Sequence, residues 1–197
     1  FLKNNLSEIT SIIKISNAAL FFDEKKLLNF FNFKGKVFNI PFRLNYQHTI
    51  DSKSNKKIEI EANDLRFKMI NESFKLDENL TAGTNNISVL NSTINTKYNF
   101  FDQIIKFESN NSRIQNSKVN YNGRFTIKPF DLDLKINLDN YKISNLFISN
   151  SIINEFIKSG LLFNENISIN TSININSNVR DRIFREANIN LKVLNGK

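Results

Sequence analysis

The sequence predicts a mainly β fold, a long antiparallel sheet with one or two short amphipathic helices. Three observations predict it. Ile167, Ile169, Ile173 and Ile175 share one parity with Thr171 between them, while Ser168, Asn170, Ser172, Asn174 and Asn176 take the other. Successive side chains of a strand point to opposite faces, so residues 166–178 form a ribbon with one apolar and one polar side. Phe130, Leu132, Leu134, Ile136 and Leu138 alternate in the same way with Asp131, Asp133, Lys135, Asn137 and Asp139. Strands follow one another through short turns without βαβ alternation, so neighbours are expected to be antiparallel, with no reason for a parallel sheet.

The elements follow in order. Leu2, Leu6, Ile9 and Ile13 have helical spacing, which leaves the first dozen residues ambiguous. A strand is expected from about Ile13 to Phe22, then a short helix over 23–31 with Asp23 as N-cap. After Gly35, Phe38, Ile40, Phe42, Leu44 and Tyr46 alternate through about Ile50, and Pro41 marks an edge, a bulge or a bend. Residues 51–55 are a turn. Ile58, Ile60 and Ala62 form the next face, and Leu65, Phe67 and Met69 change parity, which suggests a bulge or kink near Asn63-Asp64. Phe74 and Leu76 suggest a short continuation, and 82–86 is the best loop candidate.

Strands are expected around 87–100 and 103–108. Val119, Tyr121, Phe125 and Ile127 then share a face with Gly123 among them, and Pro129 ends that strand. A second short helix is expected over 151–159, capped by Ser151, striped by Ile152, Ile153, Phe156 and Ile157, and stopped by Gly160. Ile189, Leu191 and Val193 make the last ribbon. The apolar parity holds about two dozen large side chains, each worth ~1.5–3 kcal/mol if fully buried. The four apolar residues of the second helix cannot cover that face. The sheet must curl on itself, pair with a second sheet or hold an apolar ligand.

Composition narrows the function. The 197 residues carry a net charge of +8, yet Lys25-Lys26 and Lys56-Lys57 are the adjacent basic pairs and no Arg/aromatic platform is visible. Asn, Lys, Ile and Phe are residues of AT-rich codons, so the charge reads as composition, and no nucleic-acid partner is expected. Without Cys there is no disulfide framework or thiolate metal site, and His48 alone makes a zinc site unexpected, so no metal or cofactor is predicted. Asp131 and Asp133 lie on one strand face beside Lys135 and read as a solvated face rather than an acid–base pair. No phosphate loop, nucleophile elbow or Ser/His/Asp set is visible, so no enzymatic activity is expected. No stretch approaches the ~20 apolar residues of a membrane helix. The start at Phe1 and the turn signal at Asn195-Gly196 read as the ends of a fragment, a single β domain cut from a longer repeating protein.

Residues 120–139, with an internal Gly123, a turn at Pro129 and the Leu/Ile return strand, resemble the AsmA-like family of bacterial envelope proteins. The closing Ile189–Gly196 strand and Asn-Gly turn is similar to that family's repeat units, and the resemblance covers about residues 35–197. It implies a strongly curved, U-shaped β groove in the periplasm, anchored in the inner membrane through parts of the parent protein outside this chain. Its expected partners are phospholipid acyl chains in the groove and components of the inner and outer membranes at its ends.

The leading expectation is a lipid-conducting groove segment lined by Phe38, Ile40, Phe42, Phe125, Ile127, Phe130, Leu132, Leu134, Ile136, Ile167, Ile169, Ile173 and Ile175. The alternative is a structural β-sandwich or envelope-assembly scaffold, in which the same alternation fills a closed core.

Overall fold

Period-two alternation places about three quarters of the described chain in strands. The structure is a computed structural model and describes residues 2–3, 9–10, 13–37, 39–50, 54–143, 164–177 and 185–195. The strands are β1 (Leu2–Lys3), β2 (Ile9–Thr10), β3 (Ile13–Asp23), β4 (Leu28–Val37), β5 (Ile40–Thr49), β6 (Lys56–Ala62), β7 (Phe67–Lys75), β8 (Leu80–Val89), β9 (Ser92–Phe101), β10 (Ile104–Ile114), β11 (Ser117–Thr126), β12 (Phe130–Asp139), β13 (Ile167–Asn176) and β14 (Glu186–Val193). β1 and β2 form a small ladder. β3 to β14 make one 12-stranded, mostly antiparallel sheet in chain order that is not closed into a barrel. The chain divides into two compact units, residues 1–93 and 94–197.

Several expectations are corrected. The helix expected over 23–31 is a turn at 24–27 followed by β4. Asp23 does cap amides, but in a hairpin: the Lys25 and Lys26 N–H groups donate to its Oδ1 at 3.1 and 3.2 Å. The aromatic run Phe30, Phe31 and Phe33 then pairs with β5, because tertiary pairing outweighs weak local helix propensity. The parity change near Asn63-Asp64 is no bulge. A 3-10 turn, Asn63–Leu65, reverses the chain, and Arg66 at φ 48° closes it. Residues 82–86, expected as a loop, lie in the middle of β8, where Asn85 faces Asn71 and a buried Gly83 faces Ser73. The strand expected over 87–100 is the end of β8, a turn at Leu90-Asn91, and β9. The helix expected over 151–159 lies outside the described residues.

The first unit is an antiparallel meander from β3 to β8. Pro41, paired with Lys36 of β4, lies beyond the first β6 pairing at Arg43, so its missing N–H falls where no β6 partner stands. In the second unit, β9 and β10 are joined by Asp102 and Gln103 at φ 47° and 65°, the two positive values that a tight hairpin with matched twist requires. β10 carries a bulge between Ser109 and Ser112. Two buried hydroxyls serve the irregular backbone there: Ser109 Oγ lies 2.6 Å from Ser112 Oγ, which accepts the Asn95 N–H at 2.9 Å.

One pairing departs from the antiparallel expectation. β12 and β13 run parallel, with Leu132 opposite Ile169 and Ile136 opposite Ile173. A parallel pair needs a crossover of a dozen or more residues, and residues 140–166 supply it.

Gly123 is required by close approach. A Cβ there would stand 2.4 Å from the Asp133 carbonyl oxygen and 2.7 Å from the Phe107 ring. The missing side chain lets Phe107 cross the strand towards Tyr121 and Phe125, at ring-centroid distances of 6.1 and 6.0 Å.

Candidate apolar binding face

Register turns separate ribbons into a wall. In the second unit Phe125 faces Leu132, which faces Ile169, which faces Val193. The next rows are Gly123–Leu134–Thr171–Leu191 and Tyr121–Ile136–Ile173–Ile189, followed by Val119–Leu138–Ile175–Ala187. Phe130 and Ile167 extend the wall at the start of β12 and β13. Nine of the sequence-predicted lining residues therefore meet on one face: Phe125, Phe130, Leu132, Leu134, Ile136, Ile167, Ile169, Ile173 and Ile175. Ile127 does not join them. It falls in the turn at 127–129 and is 53% exposed, because Pro129 ends the strand sooner than the alternation implied.

Burial on this wall is uneven. Ile143, just after β12, packs with Val119, Leu138 and Ile175 in a buried cluster. Ile169 and Val193 form a smaller one. Leu132, Leu134, Ile136, Ile173 and Phe125 remain half-buried.

The first unit has its own apolar face. Its central row is Ala18–Phe33–Leu44–Ile60–Met69–Ile87, flanked by Leu20–Phe31–Tyr46–Ile58. Phe33 stacks on Phe42 at 5.2 Å. No large side chain of these rows is buried; Leu20, on β3, is 75% exposed. The predicted Ile40 and Phe42 lie in β5 at the end of this face, while Phe38 is outside the described residues. Sequence reasoning missed most of this wall. Phe31 and Phe33 lie in or beside the helix that the sequence predicts, and the bulge or kink expected near Asn63-Asp64 makes Ile58 to Met69 one bent strand where the structure has a hairpin. The signal is present as apolar pairs two residues apart, Phe31/Phe33 and Leu44/Tyr46.

The polar faces are more organised than a solvated surface. Asn137, Asn174 and Asn188 lie in register, and each amide donates to the next: Asn174 Nδ2 to Asn137 Oδ1 at 3.0 Å, Asn188 Nδ2 to Asn174 Oδ1 at 2.9 Å. Such ladders stabilise stacked strands. The Asn content reads as composition in the sequence, yet here it joins neighbouring strands. Beside it, Arg124 Nε donates to Asp133 Oδ2 at 2.8 Å and Asn170 Nδ2 donates to Oδ1 at 3.0 Å. Those bonds, the Arg124 one first, hold the Asp133 carboxyl below the usual carboxylate range. In the first unit the Lys68 ammonium lies 2.6 Å from Glu59 and 2.8 Å from Glu61, and it lowers the Glu59 pKa. His48, at the end of β5, is hydrogen-bonded to Ser54 Oγ at 2.9 Å.

A depressed carboxylate pKa stabilises the fold while the unfolded chain would already be ionised, and that stabilisation is lost on acidification. Unfolding free energy is therefore expected to fall as pH drops below about 4, the ordinary Asp value, with a shallower fall in Asp133→Asn. Urea titrations from pH 7 to 3 check it; identical slopes for both chains contradict it. The pair is largely exposed, so water and salt screen it and the difference is small.

Among the described residues no group of three or more His, Cys, Asp or Glu could hold a metal. No helix among them is long and apolar enough to cross a membrane, which says nothing of strands. No family model, curated protein or solved structure matches the chain.

Proposed function

We propose that this chain binds phospholipid acyl chains on the apolar faces of its sheet, as a segment of an inter-membrane lipid-transport protein. One observation carries the reading: each unit presents rows of large apolar side chains left half-buried, with no second layer over them among the described residues. Contiguous apolar area left in water marks a binding surface, at a cost of about 25 cal/mol per Å². An acyl chain is long, unbranched and indifferent to register, and it suits a wall built of parallel rows. Carriage along such a wall needs no catalytic group. The resemblance of residues 120–139 to AsmA-like repeats supports the same reading, and extends it to a curved periplasmic groove in a parent anchored in the inner membrane.

Ile143 favours a second reading for one end of the second unit. There the wall is closed by protein, as in a scaffold with a dry core. The two readings differ in what accompanies the chain. Organic extraction and mass spectrometry of the purified protein are expected to recover phospholipid near stoichiometric amounts. A lipid-free, monomeric, folded chain would favour the scaffold.

A further inference from the structure

Four cations gather at one end of β3, β4 and β5. Lys14 stands opposite Lys36, and Lys34 opposite Arg43. All four line a depression of about 530 Å³ in the first unit. Like charges facing each other across strands destabilise a sheet. Elsewhere this sheet relieves them. Lys57 meets Glu72 at 2.9 Å, and Lys68 sits between Glu59 and Glu61. In the second unit the like-charged pairs Lys106–Arg124 and Arg113–Lys118 each continue into an aspartate on the next strand, Asp133 and Asp139. Lys36 continues instead into Pro41. Two carboxylates do border the depression, Glu61 and Asp64. Glu61 is engaged by Lys68 at 2.8 Å and stands 4.0 Å from Arg43. Lys14, Lys34 and Lys36 form no ion pair among the described residues.

The backbone assembles this cluster. The bulge in β3 shifts the register between Ile15 and Asn17. Without the extra residue, Lys14 would face Val37; with it, Lys14 faces Lys36, and the cations share one side. Phe42 also lines the depression, and its ring lies against Gly35. The cations take the parity opposite to Phe42, so an anion held there lies on the polar face, at the end of the sheet where the apolar face on the other side begins at Phe42.

We propose that this depression binds a phosphate group through Lys14, Lys34, Lys36 and Arg43, the phosphate being that of an anionic phospholipid headgroup. The source rests on the acyl-chain reading above; the anion chemistry stands on the cluster alone. Three probes separate the two, applied to the full chain: inorganic phosphate, phosphatidylglycerol vesicles and a single-stranded oligonucleotide. The variant K14Q/K34Q/K36Q is compared with K106Q/K118Q/K192Q, which removes the same charge from the second unit.

Phosphate is expected to shift amide resonances of residues 34–43, and those shifts vanish in the first variant alone. Vesicle affinity is expected to drop roughly a hundredfold in the first variant and severalfold at most in the second. Equal losses in both variants would overturn the site in favour of diffuse charge. Phosphate shifts without vesicle discrimination would overturn the lipid source and assign free phosphate. An oligonucleotide binding more tightly than vesicles through the same lysines would overturn it in favour of nucleic acid. If phospholipid does not co-purify with the unmodified chain while the phosphate shifts persist, the acyl-chain reading fails and the anion site stands.

Discussion

Leu134→Glu is expected to remove bound lipid while leaving the strands intact. Leu134 is half-buried at the middle of β12, between two small neighbours, Gly123 of β11 and Thr171 of β13. A carboxylate there has two fates. On an uncovered face its head reaches water, the strand pairing survives and the β signature in circular dichroism is unchanged. In a closed core it is an unpaired buried charge, which costs several kcal/mol and unfolds the unit. The same substitution therefore reads out binding and openness together. Each acyl methylene contributes about 0.8 kcal/mol on burial. Displacing four of them weakens binding by about 3 kcal/mol, roughly two-hundredfold. Retained β content with lost lipid is the expected pair of results; lost β content favours the closed core.

Ile175→Ala is expected to cost about 2–5 kcal/mol of unfolding free energy, because the side chain is 3% exposed among Val119, Leu138 and Ile143 and its loss leaves a cavity. Ile60→Ala in the first unit removes the same atoms from a half-buried site between Leu44 and Met69. Part of that side chain already meets water, so its loss is expected to cost less than about 2 kcal/mol. Urea unfolding followed by circular dichroism gives both values. Equal costs would mean that the first face is covered as fully as the row beneath Ile143.

The alternation of β12 and β13 was legible because period two survives whatever the strand pairs with. Direction was not legible for the same reason: Ile167, Ile169, Ile173 and Ile175 present the same face to a parallel neighbour as to an antiparallel one. Turn chemistry misled at Asp23. A short acidic side chain that accepts amide N–H groups serves a helix N-terminus and a hairpin turn equally well. Residues 82–86 are small and polar, which marks loops, yet pairing with β7 made them a strand. The second unit's wall could be anticipated because its apolar residues keep one parity through β11, β12 and β13, with Gly123 and Thr171 as the interruptions. The first unit's wall could not, because it depends on hairpin reversals at 24–27 and 63–65 that decide which residues share a face. The asparagine ladder has no one-dimensional signature, since it exists only once β12, β13 and β14 are set in register.

Site-resolved photolabelling tests the proposed function most directly. A phospholipid bearing a diazirine on its acyl chain is bound to the chain, irradiated, and the adducts are mapped by peptide mass spectrometry. Adducts are expected on the apolar rows, at Leu134, Ile136 and Ile173 in the second unit and at Phe33, Leu44 and Ile60 in the first, with few on the asparagine and charged rows of the opposite faces. Adducts spread evenly over both faces, or none at all on a folded chain, would contradict an acyl-chain-binding wall.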